Sequence, residues 1–229
     1  MEILGLEKVS FVDYEGLVCA TIFTGGCNFL CPFCHNSSIV NKQQNLISEE
    51  EVLSYLKERK KLLDAVTISG GEPTLQKDLK DFIIKVKALG YKIKLDTNGT
   101  FPLVIQDLIE SKLIDYVAMD IKTCFSDYQS VTGLKVNWGN KVKQTLEILR
   151  KANVKYELRT TLVKEFHNES AIKEMAKDLE GEEVLYLQKF VDSGSCIKQN
   201  LSAIDKKEAI EFQNILIKTI KKVILRGYN

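Results

Sequence analysis

Histidine is nearly missing from this chain: His35 and His167 are the only two in 229 residues. That scarcity fits a chemistry that needs no acid–base dyad. Charge of one sign is missing too. Thirty-two basic residues face 31 acidic ones, so no net field draws nucleic acid or an anionic membrane. No apolar run reaches transmembrane length, and the N-terminal "MEILGLEKVS" has no charged region followed by an apolar one. The cytosol is therefore the expected compartment. No linker, low-complexity stretch or long repeat interrupts the sequence. With 45% apolar and 28% charged residues, it reads as one soluble domain over residues 1–229. Without an export signal, the six cysteines do not argue for a disulfide framework.

What is present is concentrated between Thr24 and Asn36, "TGGCNFLCPFCHN". Cys27, Cys31 and Cys34 form a C-x3-C-x2-C pattern after an apolar run that ends in Gly25-Gly26. Three thiolates within eight residues can wrap one soft metal centre, and the glycine pair lets the chain leave a strand and curl round it. Three ligands are one short of closing a cubane cluster or a tetrahedral zinc site. If the metal is a 4Fe–4S cluster, one iron stays open to a small molecule. A zinc site with His35 as fourth ligand is the chemical alternative, although neighbouring Cys34 and His35 would strain to reach one ion. Buried structural thiols are another. Cys19, Cys124 and Cys196 stand alone in the sequence, and no second C-x-x-C pair exists, so they read as buried or incidental thiols and a further cluster is not expected.

Short β-rich apolar runs alternate with longer amphipathic ones. Strands are expected at Leu17 to Thr24, Ala65 to Ser69, Tyr91 to Leu95, Asp115 to Ile121, Lys155 to Leu162 and Glu183 to Phe190. Between them lie helices, one opened by the Ser48/Glu51 capping box and one stopped at Gly90. The chain is expected to close with a helix from Asp205 to Leu225. Six β-α units imply a parallel sheet with crossover helices, whose chemistry belongs at the C-terminal strand ends. Each suspicious motif falls at such an end: the cysteine loop, Gly70-Gly71-Glu72-Pro73, Asp96-Thr97-Asn98-Gly99, Asp120-Ile121-Lys122 and "LQKF".

Taken singly, several of these motifs have plain structural readings. Gly-Gly-Glu-Pro makes a strand-to-helix turn, and Asn98-Gly99 suits positive φ. Asp120 can serve as a salt-bridge partner. Arg159, inside a strand, is either ion-paired or aimed into the mouth of the fold, because an unpaired buried charge is costly. His167 reads as a surface or satisfied core histidine.

Together, the cysteine spacing with Phe33 before the third cysteine resembles the signature of radical S-adenosylmethionine (SAM) enzymes. "CPFCHN" is similar to the activating enzymes of glycyl-radical proteins. "VSFVDYEG" (Val9 to Gly16) is similar to the start of one branch, the activating proteins of anaerobic ribonucleoside-triphosphate reductase, with Glu15 where that branch has proline. The resemblance covers about residues 7 to 190. It implies an α/β fold, a partial (β/α)6 barrel of the radical SAM type. It also implies one 4Fe–4S cluster on Cys27, Cys31 and Cys34, and SAM chelated to the open iron. By the same resemblance, Gly70, Gly71 and Glu72 meet the SAM amino group, Phe33 belongs to the cofactor-binding set, and the His35 backbone lies near the adenine. Asp96 and Asp120 lie beside SAM, where such aspartates help hold a monovalent cation. Lys122 neutralises the SAM carboxylate, Arg159 faces the barrel mouth, and Gln188 takes a ribose-binding place. The implied reaction is reductive cleavage of SAM to methionine and a 5′-deoxyadenosyl radical, which takes hydrogen from a glycine Cα of a partner protein. An electron donor such as flavodoxin or ferredoxin is implied as well. A formate-lyase activase, a carboxy-deazaguanine synthase-like enzyme and a non-catalytic zinc module are the competing readings.

Overall fold

The computed structural model describes residues 1–40, 45–192 and 194–228. In chain order the elements are β1 (Ile3–Ser10), β2 (Cys19–Thr24), α1 (Ser37–Val40), α2 (Glu49–Glu58), β3 (Ala65–Gly70), α3 (Leu79–Ala88), β4 (Lys92–Thr97) and α4 (Pro102–Glu110). They continue as β5 (Tyr116–Asp120), α5 (Tyr128–Thr132), α6 (Gly139–Lys151), β6 (Lys155–Leu162), α7 (Glu169–Asp178), β7 (Leu185–Lys189), α8 (Lys206–Leu216) and β8 (Val223–Arg226). The eight strands follow one another in sequence order in a single sheet, a linear order rather than a closed ring. Among the described residues no helix is long and apolar enough to cross a membrane.

The chain divides into two compact units, the first built from residues 1–28, 38–118 and 145–156. Here β2, β3 and β4 pair in parallel, with Cys19 beside Ala65 and Ala65 beside Lys92. Their middles are buried on both faces, as a parallel sheet covered by helices requires. The covering helices supply matching apolar residues: Val52 and Leu56 from α2, Phe82, Ile83 and Val86 from α3, Ile105 and Leu108 from α4. Ser48 caps α2 by accepting the Glu51 amide at 3.1 Å. Gly90 follows α3 at φ +92°, its amide donating to the Lys87 carbonyl, so the helix stops where a residue with a Cβ would be strained.

The second unit comprises residues 29–37, 119–144 and 157–229, described to residue 228. Its strands β6, β7 and β8 are parallel, with Leu158 beside Leu185 and Leu185 beside Val223. The apolar faces of α7 (Ile172, Met175) and α8 (Ala209, Phe212, Leu216) are buried.

Two elements depart from expectation. The first is β1, which pairs antiparallel with β2. Its centre, Glu7-Lys8-Val9, is exposed, so it shows no apolar alternation; pairing with β2, not local preference, makes it a strand. The second is the C-terminal helix, which ends at Leu216 rather than Leu225. Thr219 turns its hydroxyl back to the Ala176 and Leu216 carbonyls, and Val223–Arg226 then adds to the free edge of β7. These four residues, followed by Gly227 (φ +81°), continue the helical apolar pattern on paper but satisfy their backbone in the sheet.

Candidate active site

In the first unit the site is a set of turns at strand ends, locked to one another by backbone. Beyond β3, the Gly71 amide donates to the Thr24 carbonyl and the Glu72 amide to the Gly26 carbonyl, each at 2.9 Å. A Cβ on Gly71 would lie 1.8 Å from the Gly26 oxygen, so only glycine lets this turn press against the run that leads into Cys27. Glu72 is fully buried. Its carboxylate accepts from the Thr74 amide and hydroxyl, the Thr97 hydroxyl (2.8 Å) and the Asn98 amide (2.7 Å). Burial pushes its pKa up, and those donors pull against the rise. Four donors from the chain itself occupy this carboxylate, which therefore ties the end of β3 to the end of β4.

Asn98 extends the same lock. Its Nδ2 donates to Asn28 Oδ1 at 2.9 Å and lies 4.0 Å from Cys27 Sγ, while its Oδ1 accepts from the Thr100 amide and hydroxyl. Read from sequence as a turn former, it also holds the residues at the first thiol; only the fold brings residues 28 and 98 together. Gly99 takes φ +76°, as the Asn-Gly pair suggests. Asp96 accepts from Ser69 Oγ at 3.1 Å, and Lys94 Nζ lies 3.7 Å from its other oxygen.

The second unit carries Cys31 and Cys34 on a turn closed by the Cys34 amide donating to the Cys31 carbonyl at 2.9 Å. Burial pushes the Cys31 thiol up to about 11, against the downward pull of the Lys122 charge. Two segments grip this loop. From one side, the Leu30 amide donates to the Thr132 carbonyl, and the Phe29 ring lies 6.4 Å from both Tyr128 and Trp138. The stretch from Cys124 to Trp138, which has no evident role in the sequence, is thus a support for the cysteine loop. From the other side, the Lys198 amide donates to the Pro32 carbonyl, Ser195 Oγ to the His35 carbonyl, and Ser37 Oγ to the Ser195 carbonyl. Cys196 Sγ is 3.8 Å from the Phe33 carbonyl and 3.6 Å from His35 Nδ1. Phe33 is buried with its ring 5.8 Å from Phe166, and the His35 ring stacks on Phe190 at 5.4 Å.

Asp120, Lys122 and Arg159 come together in the same unit. Lys122 Nζ donates to Asp120 Oδ2 at 3.0 Å and Arg159 Nε to Oδ1 at 2.9 Å. Burial alone would raise the Asp120 pKa, but the two cations outweigh it and hold the carboxyl near about 2. Burial likewise opposes the charge on Lys122, yet Asp120 and the nearby thiols leave its pKa raised. Arg159 is therefore ion-paired. The Lys122 backbone is gripped as well: its amide donates to the Tyr128 hydroxyl at 3.1 Å, and its carbonyl lies 2.9 Å from His167 Nε2. His167 is buried, and its Nδ1 accepts from the Val163 amide at 3.0 Å, which assigns the proton to Nε2. Burial lowers its pKa, in keeping with a neutral ring. The satisfied-core reading of His167 holds, with a purpose the sequence did not disclose. Gln188 is half-buried near the end of β7, in register with Thr161 and Arg226.

All six cysteines are free, and Cys19, Cys124 and Cys196 are buried. Among the described residues no three His, Cys, Asp or Glu side chains already stand as a set that could hold an ion. The donor chemistry nevertheless fits an iron–sulfur cluster. The sequence offers three soft thiols, the loop bearing two of them is held by its own backbone, and the Lys122 ammonium favours thiolate at Cys31.

A model of the radical SAM superfamily matches residues 21–179. The chain is 35% identical over 231 residues to a "Putative glycyl-radical enzyme activating enzyme" of Methanocaldococcus jannaschii, an alignment covering 98% of this chain and 95% of that one. It is 30% identical over 114 residues to a "Probable GTP 3′,8-cyclase" of Saccharolobus solfataricus, covering 48% of this chain and 37% of that protein. Streptococcus suis SuiB, solved with S-adenosylmethionine bound, shares the fold with a TM-score of 0.69 at 16% identity. That superposition covers 89% of this chain, which spans about half (49%) of SuiB.

Proposed function

We propose a specific activity for this chain, which belongs to the radical SAM superfamily: it activates a glycyl-radical protein, and that protein is anaerobic ribonucleoside-triphosphate reductase. The family implies a 4Fe–4S cluster and SAM. Together, when bound, they supply one-electron cleavage of the sulfonium C–S bond and hydrogen abstraction from a glycine Cα. Everything else falls to the chain. Cys27, Cys31 and Cys34 would hold the cluster and leave one iron for the SAM amino and carboxylate groups. Lys122, fixed through backbone and side chain, would meet the SAM carboxylate, a charge-assisted contact in a partly buried place. Gly70 and Gly71 would offer backbone to the amino group, with Glu72 setting their turn. Phe33 and His35 would bring backbone to the adenine, and Gln188 would take the ribose. Asp96 and Asp120 would complete the polar wall. At Asp120, Lys122 and Arg159 already supply the positive charge that a monovalent cation would bring.

The observation that carries the activase reading is the match along almost the whole of both chains with the M. jannaschii protein, combined with the C-x3-C-x2-C loop. The cyclase similarity spans little more than a third of that relative. For the particular partner, the support is Val12-Asp13-Tyr14-Glu15-Gly16. The Leu17 amide donates to the Tyr14 carbonyl and Gly16 takes φ +76°, the pattern of a type II turn with Glu15 at its second position. Proline is common at that position but not required, so the departure at Glu15 leaves the turn intact.

The test is anaerobic reconstitution with iron and sulfide, reduction, and addition of SAM with one candidate substrate at a time. A glycyl-radical doublet in the reductase by electron paramagnetic resonance is expected. A doublet only in a formate-lyase-type protein would move the activase to another partner. Turnover of GTP or another small molecule, with no radical on any glycyl-radical protein, would overturn the activase reading.

A further inference from the structure

Lys94 is one of the least expected residues in the first unit. It lies in the middle of β4, in register with Thr67 and through it Thr21, and is only 5% exposed. A buried ammonium is costly unless its partners are specific, and an apolar residue would pack there at no such penalty. Its partners are specific. Nζ donates to the Asp13 carbonyl at 2.6 Å, lies 3.7 Å from Asp96 Oδ1, and sits 5.6 Å from the centre of the Tyr116 ring.

The Asp13 end of this arrangement is itself anchored. Thr21 Oγ1 donates to Asp13 Oδ2 at 2.6 Å, Tyr14 is buried against Cys19 and Ala65, and the Tyr14 and Tyr116 rings are 5.6 Å apart. The Val12–Gly16 turn therefore lies over one face of the β2-β3-β4 sheet and presents its carbonyl to the ammonium. At the other end, Ser69 Oγ donates to Asp96 Oδ2 at 3.1 Å, so the aspartate is hydrogen-bonded from a neighbouring strand, while the Lys94 ammonium faces its other oxygen across 3.7 Å.

We propose that Lys94 is a positioning residue that fixes the Asp96 carboxylate for SAM by tying it to the Val12–Gly16 turn. This inference rests on the assignment of Asp96 to the SAM site under the proposed function. Its physical content is that Asp96, two residues further along β4, gains a fixed counter-charge whose position is set by a turn eighty residues earlier in the chain. The sequence feature that marks the branch and the carboxylate assigned to the cofactor are joined through one ammonium.

The test is SAM affinity of the anaerobically reconstituted protein, measured by titration for Lys94→Met, Lys94→Arg, Asp96→Asn and the Lys94→Met/Asp96→Asn double variant. Iron content and melting temperature are measured in parallel. Lys94→Met is expected to weaken SAM binding about tenfold, within the range for coupled contacting residues, with iron content unchanged. Lys94→Arg should recover most of the affinity. In the Asp96→Asn background Lys94→Met should add less than about twofold, because its effect runs through Asp96. Wild-type affinity in Lys94→Met with weakened affinity in Asp96→Asn overturns this inference and leaves the Asp96 assignment standing. A full tenfold loss added on top of Asp96→Asn also overturns it, since that outcome marks a merely structural lysine. Wild-type affinity in Asp96→Asn removes Asp96 from the SAM site and this inference with it. Should Lys94→Met fail to fold, Thr21→Val, which loosens the seat of Asp13, decides: weaker SAM binding is expected, and unchanged binding overturns the proposal.

Discussion

Gly71→Ala puts a side chain where the Gly70-Gly71-Glu72 turn and the approach to Cys27 meet backbone to backbone. The added Cβ would stand 1.8 Å from the Gly26 oxygen and 2.6 Å from its carbonyl carbon. Carbon–oxygen contacts in folded chains begin near about 3.3 Å, so one of the two segments must retreat by roughly 1.5 Å. Both are backbone, and no flexible side chain can absorb the shift. Retreat breaks the Glu72–Gly26 bond and strains the Gly71–Thr24 bond, both 2.9 Å. Two such bonds are worth about 1 kcal/mol each net, and the buried groups left unpaired cost about 1–3 kcal/mol more, giving about 3–5 kcal/mol. Against a total stability of about 5–15 kcal/mol this is severe, and it corresponds to a fall of about 10 °C in the melting temperature. The assay is thermal melting of the metal-free protein, followed by iron and sulfide determination after reconstitution. An unchanged melting temperature would refute the steric argument. A lowered one with full cluster loading would refute the idea that this contact sets the position of Cys27.

Three further outcomes are expected. The Asp120 carboxyl lies near about 2 in the folded chain against an ordinary 3.8, because Arg159 and Lys122 outweigh the effect of burial. Its folded pKa is the lower one, so its contribution is complete above about pH 4 and fades as the pH falls towards 2. The gap corresponds to about 2 kcal/mol, and Asp120→Asn should flatten the acid limb of a melting-temperature profile in that window; an unaltered limb would count against the pairing. His167→Ala deletes the group that meets the Lys122 carbonyl and the Val163 amide. It should weaken SAM binding several-fold while iron content holds, with His167→Gln less affected; equal affinity in titrations of all three proteins would exclude a role in setting Lys122. Cys31→Ala should abolish cluster loading and Cys124→Ala should spare it, as read from the visible absorbance and sulfide content. A Cys31→Ala protein with a normal cluster would break the ligand assignment.

The alternation of strands and helices was legible because strands such as β2, β3 and β5 are short, mostly apolar runs and some helix ends carry clear signals, as at Ser48 and Gly90. The motifs at strand ends were legible for the same reason: once β3, β4 and β5 are located, Glu72, Asp96 and Asp120 fall at their C-terminal ends. What escaped depends on partners distant in sequence. The first strand is held by β2 and not by its own exposed centre, and β8 is held by the edge of β7. Asn98 looked like a turn residue because its bond to Asn28 spans 70 positions. His167 and Tyr128 gave no sign that they hold the Lys122 backbone, since neither belongs to a motif. Glu72 was legible as a special residue, but the inward direction of its carboxylate was not, because that depends on Thr97 and Asn98 arriving from the next strand.

Under the proposed function, the hydrogen taken by this protein comes from a glycine of the reductase. The direct measurement uses reductase grown with glycine deuterated at Cα, incubated anaerobically with the reconstituted, reduced protein and SAM. Mass spectrometry then reads the 5′-deoxyadenosine. A deuterium-bearing product is expected, formed in step with methionine and only when the reductase is present. Unlabelled 5′-deoxyadenosine, produced at the same rate with or without the reductase, would contradict it.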